Sequence, residues 1–150
     1  VKKEPVVGLF GTCGTSKWRD DIIDFLKFHG IPYFNPLRED WKHEYIAEEN
    51  KHLNEDDIIV FAITNETNGF GSLGEIGFSF LNSLKSEQKV IIYIENDCAD
   101  PKSDPKTIKE SVNARALVKT KVVDAISIKG DKWFMVENFN ELKKLLLKIS

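Results

Sequence analysis

The sequence predicts an α/β protein of the flavodoxin-like (Rossmann-like) kind, with three layers (α/β/α) around a mainly parallel five-stranded sheet in the order 2-1-3-4-5. Three observations lead there. Short, almost wholly apolar runs recur along the chain, as strands buried on both faces of a parallel sheet require. Segments with helical apolar spacing alternate with these runs, so successive strands are joined by crossovers that cover the sheet. Turn residues bound the runs, and the loops after strands one, two and three then open on one cleft at the switch point of the sheet.

Pro5 to Phe10 is the first strand. The loop from Gly11 to Arg19 follows. Gly8, Gly11 and Gly14 do not match G-x-G-x-x-G, and the Lys-Ser/Thr ending of a Walker A loop is missing, so the loop reads as neither a dinucleotide fingerprint nor a P-loop. A helix is expected from about Lys17 to His29, with Ile22, Ile23, Phe25, Leu26 and Phe28 as its apolar face and Gly30 as its stop. Ile31 to Phe34 is the second strand; Asn35 ends it, because the residue before Pro36 is held extended. Trp41 in the next loop reads either as a packing lid or as a flat surface for a base. The second helix, about Glu44 to Leu53, carries Tyr45, Ile46 and Leu53 on one stripe. Glu49 shares that stripe, at i+3 from Ile46 and i+4 from Tyr45. A carboxylate there is costly unless it snorkels at the edge, is paired, or is used.

Ile58 to Ile63 is the central strand. After it comes Thr67 to Gly77, reading Thr-Asn-Gly-Phe-Gly-Ser-Leu-Gly-Glu-Ile-Gly. A helix is expected from about Leu73 to Leu84, with Ile76, Phe80, Leu81 and Leu84 facing the core and Glu75, Ser79 and Asn82 on the other side. Ser72-x-x-Glu75 reads as a capping box. The other reading is a carboxylate held ionised by the helix N-terminus and available as a nucleophile. Val90 to Ile94 is the fourth strand. Asp104-Pro105 opens a helix running to about Lys119. Val122 to Ile128 and Trp133 to Val136 then read as a hairpin at the sheet edge, and Asn138-x-x-Glu141 caps a last helix with Leu142, Leu145, Leu146 and Ile149 inward.

The 150 residues suggest a single domain, and 41% hydrophobic with 30% charged residues place it in the soluble globular class. A net charge of −3 without a basic cluster argues against polymeric nucleic acid as partner. No apolar run approaches a membrane span, no signal-peptide pattern opens the sequence, and Cys13 and Cys98 form no disulfide framework; a cytoplasmic location without membrane partners is expected. His29, His43 and His52 show no triad or metal spacing, and Cys13 reads as a small packing residue.

Gly11-Thr12-Cys13-Gly14 with Trp18-Arg19, Phe34-Asn35-Pro36 with Trp41, Glu49, and Thr67-x-Gly69 with Gly71-Ser72-x-x-Glu75-Ile76-Gly77 together resemble the nucleoside 2-deoxyribosyltransferase-like family, over roughly Val6 to Leu84. The resemblance implies that Glu75 is a nucleophile attacking C1′ of a deoxyribose, leaving a glycosyl-enzyme that a second base or water resolves. It implies an assisting carboxylate on the second helix, eight positions before Asp57, which is Glu49. Trp18 and Trp41 would line the base site and Asn35 and Ser72 the sugar, with Gly11, Thr12, Cys13, Asn68 and Gly71 completing the contacts. The sequence departs from the transferases at Gly69 and Phe70, where they carry acidic residues that position sugar hydroxyls; Asn68, Ser72 or Asn35 would take over that contact. A related branch hydrolyses nucleoside monophosphates, and by that likeness Ser72, Thr12 and Arg19 would hold a 5′-phosphate. Three functions stay open: base transfer on deoxynucleosides, N-glycosidic hydrolysis of nucleotides, and nucleotide binding without catalysis. The ligand implied is a small nucleoside or nucleotide, with no metal or organic cofactor, and the resemblance implies a homo-oligomer.

Overall fold

A computed structural model describes residues 3–150. Five strands, β1 (Val7–Gly11), β2 (Tyr33–Phe34), β3 (Ile58–Ile63), β4 (Lys89–Ile94) and β5 (Trp133–Met135), form one parallel sheet in the order β2-β1-β3-β4-β5. Five helices alternate with them: α1 (Trp18–Phe28), α2 (Tyr45–Glu55), α3 (Phe70–Ser83), α4 (Pro105–Ile128) and α5 (Phe139–Ile149). This is the flavodoxin-like arrangement expected from the alternation of apolar runs and amphipathic segments.

Successive strand residues point to opposite faces, and β3 shows how this builds two cores. Ile59, Phe61 and Ile63 pack with Leu53 of α2, Leu73 and Ile76 of α3, and Val122 and Ala125 of α4. Ile58, Val60 and Ala62 pack with Trp18, Ile22 and Leu26 of α1 and Leu142 and Leu146 of α5. All six β3 residues are buried, which explains a strand with no polar position.

Four expectations need correction. The segment Val122 to Ile128 is not a strand: α4 continues through it, with Val122 and Ala125 buried at helical spacing while Val123 and Ile128 are exposed. β5 therefore pairs parallel with β4, and the turn 129–132 ends a crossover, not a hairpin. The third helix begins at Phe70, not Leu73. Its N-cap is Gly69, whose φ of +70° suits glycine, and the Asn68 Oδ1 accepts the Phe70 N–H at 3.2 Å. Ser72 and Glu75 thus lie inside α3, and the capping box does not exist. The buried face of α3 is Leu73, Ile76, Ser79 and Ser83, whereas Leu81 and Leu84 are exposed; Ser83 is kept inside because its Oγ accepts the Trp133 Nε1–H at 3.0 Å. On α1, Phe28 is exposed instead of packing inward. The caps at Asp104 and Asn138 are as expected, each side chain accepting a backbone N–H of its helix's first turn, from Thr107 and Glu141.

Candidate active site

The carboxyl ends of β1 and β3 are laced together. Gly11 ends β1 at φ +129°, and a Cβ there would lie 2.2 Å from the Ala62 carbonyl oxygen of β3, so only glycine permits this approach. Thr12 follows, buried, with its Oγ1 2.5 Å from the Thr64 Oγ1 and accepting the Thr64 N–H at 3.1 Å; Ser16 joins the same hydroxyl of Thr64 at 2.8 Å. Arg19, only 2% exposed, donates from Nε to the Leu9 carbonyl (2.9 Å), from Nη1 to that of Thr12 (2.7 Å) and from Nη2 to that of Gly11 (3.2 Å). Trp18 lies beneath this guanidinium, donates its indole N–H to the Thr12 carbonyl and stacks on Phe139.

A second buried arginine does the same one strand over. Arg115 of α4 donates to the carbonyls of Ile63, Thr64 and Thr67 and to that of Glu95 at the end of β4. Its Nε donates to Ser111, whose hydroxyl in turn donates to the Asn68 carbonyl at 2.6 Å. The β3–α3 loop is therefore bound to α4, and α3 is aimed by that loop.

Beside these strand ends lies a cavity of about 450 Å³, within the range of small-molecule sites. Phe10, Gly11, Cys13, Gly14 and Arg19 line it from β1, its loop and α1; Pro36, Leu37, Arg38 and Trp41 from the β2–α2 loop; Glu49 from mid-α2 and Glu75 from α3. Glu49 and Glu75 also line an adjoining open hollow between α2 and α3, with Gly71, Gly74 and Phe78. Burial pushes the Glu75 carboxyl above the ordinary glutamate range, the charge of Glu49 pushes it further, and Arg19 pulls it back down. Placed in the second turn of α3, Glu75 is held by these neighbours and not by the helix terminus.

Of the residues singled out from the sequence, the cavity brings together Gly11, Cys13, Arg19, Trp41, Glu49 and Glu75. Trp18 is a core residue, 6% exposed, and not a wall of the cavity: the indole that opens α1 faces the sheet. Thr12 is spent on Thr64, and the Nε, Nη1 and Nη2 groups of Arg19 are committed to carbonyls, so the phosphate cradle drawn from Thr12, Ser72 and Arg19 does not assemble. Asn35 accepts the Leu37 N–H in its own turn, Asn68 accepts the Phe70 N–H in the turn that leads into α3, Ser72 lies outside the lining, and Gly71 lines only the adjoining hollow. Cys13 is exposed on the cavity wall and not a packing residue. Arg38 was missed; its one sequence signal is a cation in the loop after the β2 carboxyl end.

Comparison with known proteins bears on the same segments. The family model described as "Nucleoside 2-deoxyribosyltransferase like" matches residues 4–98, which carry β1 to β4 and every residue of the cavity wall. The chain belongs to the nucleoside 2-deoxyribosyltransferase-like family. A solved structure, that of a conserved protein from Enterococcus faecalis V583, is similar in fold, with a TM-score of 0.57 at 13% identity over 95% of this chain and 96% of that one. No curated protein matches this chain. Family membership covers β1 to β4; α4 and α5, which complete the two cores, lie beyond the matched segment. No helix among the described residues is long and apolar enough to cross a membrane.

Proposed function

We propose that the protein cleaves and transfers the N-glycosidic bond of 2′-deoxynucleosides. The observation that carries this is the meeting of Glu49 and Glu75, from different helices, on the wall of one nucleoside-sized cavity. In the proposed reaction a Glu75 carboxylate oxygen bonds to C1′ as the bond from C1′ to the base nitrogen breaks. The electron pair leaves with the base, which takes up a proton there. Glu49 handles that proton or orients Glu75. The resulting glycosyl ester is resolved when a nitrogen of a second base, or a water, attacks C1′ and frees the carboxylate. Trp41, exposed at the cavity mouth, is the stacking surface for the base. Assembly as a homo-oligomer belongs to the same proposal, through family membership.

One observation favours a second reading. Asn35, Asn68 and Ser72, the side chains left to hold the sugar hydroxyls, do not line the cavity, which suits a nucleoside-binding domain without turnover. Incubation with a deoxynucleoside and a different free base, followed by chromatography of both bases, separates the two. New nucleoside is the expected result; free base alone identifies a hydrolase. Binding without either product identifies the binding domain, and full activity in Glu75→Ala removes Glu75 from the chemistry.

A further inference from the structure

Two guanidinium groups reach the cavity, and they are not equivalent. Arg19 places Nε, Nη1 and Nη2 on strand-end carbonyls and is fully buried. Arg38 makes one hydrogen bond, from Nη2 to Glu48, while its Nε is covered and has no partner and its Nη1 carries none. An arginine has five N–H donors and no acceptor. A covered donor without a partner is costly unless something supplies an acceptor. Arg38 is also held in place: the guanidinium lies over the Tyr45 ring, 4.3 Å from its centroid, with Glu48 at one edge. A planar donor anchored in this way has little freedom left to lose on binding.

Its neighbours narrow what it can take. Arg38 shares the β2–α2 loop with Pro36, Leu37 and Trp41, an apolar wall with one indole suited to a flat ring. Phosphate is the other fork partner of an arginine. Here, though, Glu48 already offsets the charge of Arg38, and Glu49 and Glu75 line the same cavity, so a dianion meets no net positive field.

We propose, resting on the nucleoside reading above, that Arg38 selects the base: its free N–H groups take a base edge with two adjacent acceptors, of which O6 and N7 of a 6-oxopurine are the purine case. Adenine offers N7 beside a donating amino group and satisfies only half of the fork.

Hypoxanthine and adenine are nearly equal in size and differ at this edge, so their binding to the intact protein, followed by isothermal titration, tests the assignment. The expected result is hypoxanthine bound roughly tenfold more tightly than adenine, the preference shrinking to within about twofold in Arg38→Met. Arg38→Lys keeps the charge without the fork and is expected to lose most of the preference as well. Circular dichroism checks that each variant is folded. Equal binding of the two bases by the wild type, or an unchanged preference in Arg38→Met, overturns the role of Arg38 and leaves the nucleoside reading standing. Displacement of hypoxanthine by inorganic phosphate also overturns it, in favour of an anion site. If no base or nucleoside binds at all, the nucleoside reading falls and takes this inference with it.

Discussion

The carboxyl of Glu75 holds its proton more tightly than an ordinary glutamate, first because it is sunk in the cavity wall and second because Glu49 shares that wall. The two residues come from helices on the same face of the sheet, and only the fold makes them neighbours. A nucleophile with a raised pKa is a better base but is lost sooner on acidification.

A pH–rate profile reads this directly. The proposed reaction needs the ionised form of Glu75, so the acid limb is expected above the usual carboxylate range. Glu49→Gln removes the like charge and moves that limb to lower pH, while the maximal rate falls by about 100-fold or more through loss of proton handling. An acid limb that stays in place in Glu49→Gln would separate the two groups.

Stability is expected to move the other way. Because the folded pKa of Glu75 is raised, folding disfavours its ionised form. Its favourable contribution is complete below the ordinary glutamate range and is lost as pH rises through the raised value. Glu75→Gln is therefore expected to raise the Tm at pH 7, by about 2–4 °C, and to give no advantage in acid. Thermal melts at both pH values check the sign.

Trp18, at the start of α1, and Trp41, in the β2–α2 loop, separate by burial. Trp18→Ala empties a core position and is expected to cost about 3–5 kcal/mol in denaturant unfolding. Trp41→Ala, at an exposed position, is expected to leave the unfolding midpoint unchanged and to raise the KM for a nucleoside by roughly tenfold.

Among the glycines, Gly11→Ala is expected to be far more damaging than Gly30→Ala. Both have positive φ, but a Cβ on Gly11 meets the Ala62 backbone and one on Gly30 meets nothing. Gly30→Ala should cost about 1 kcal/mol, and Gly11→Ala should disrupt the β1–β3 junction outright, as soluble yield and melts will show.

The sheet order was legible because its determinants are local: apolar runs bounded by turns, with amphipathic helices between. The same local reasoning failed where β-branched residues fill a helix, as in Val122 to Ile128, which α4 absorbs by packing two of them on Trp133 and β4 neighbours. It failed at the start of α3, where Gly69, Phe70 and Gly71 look like loop but the helix begins early, behind Gly69 at positive φ and the Asn68 turn. At the site, Glu49 and Glu75 were legible from stripe position and resemblance. Trp18 and Trp41 were not separable, since burial depends on which way α1 faces. Arg38, Arg19 and Arg115 take their meaning from carbonyls or carboxylates contributed by other elements, and composition and spacing carry no trace of such partners.

Arg115 bears on how the protein tolerates shortening. The segment common to the family ends at Cys98, yet the strap that steadies the turn beneath Glu75 is sent back from α4. A gene fragment trimmed to that common segment would keep Glu49 and Glu75 and lose the brace that aims one of them. The final third is a keystone set in from the far side, not an appendage.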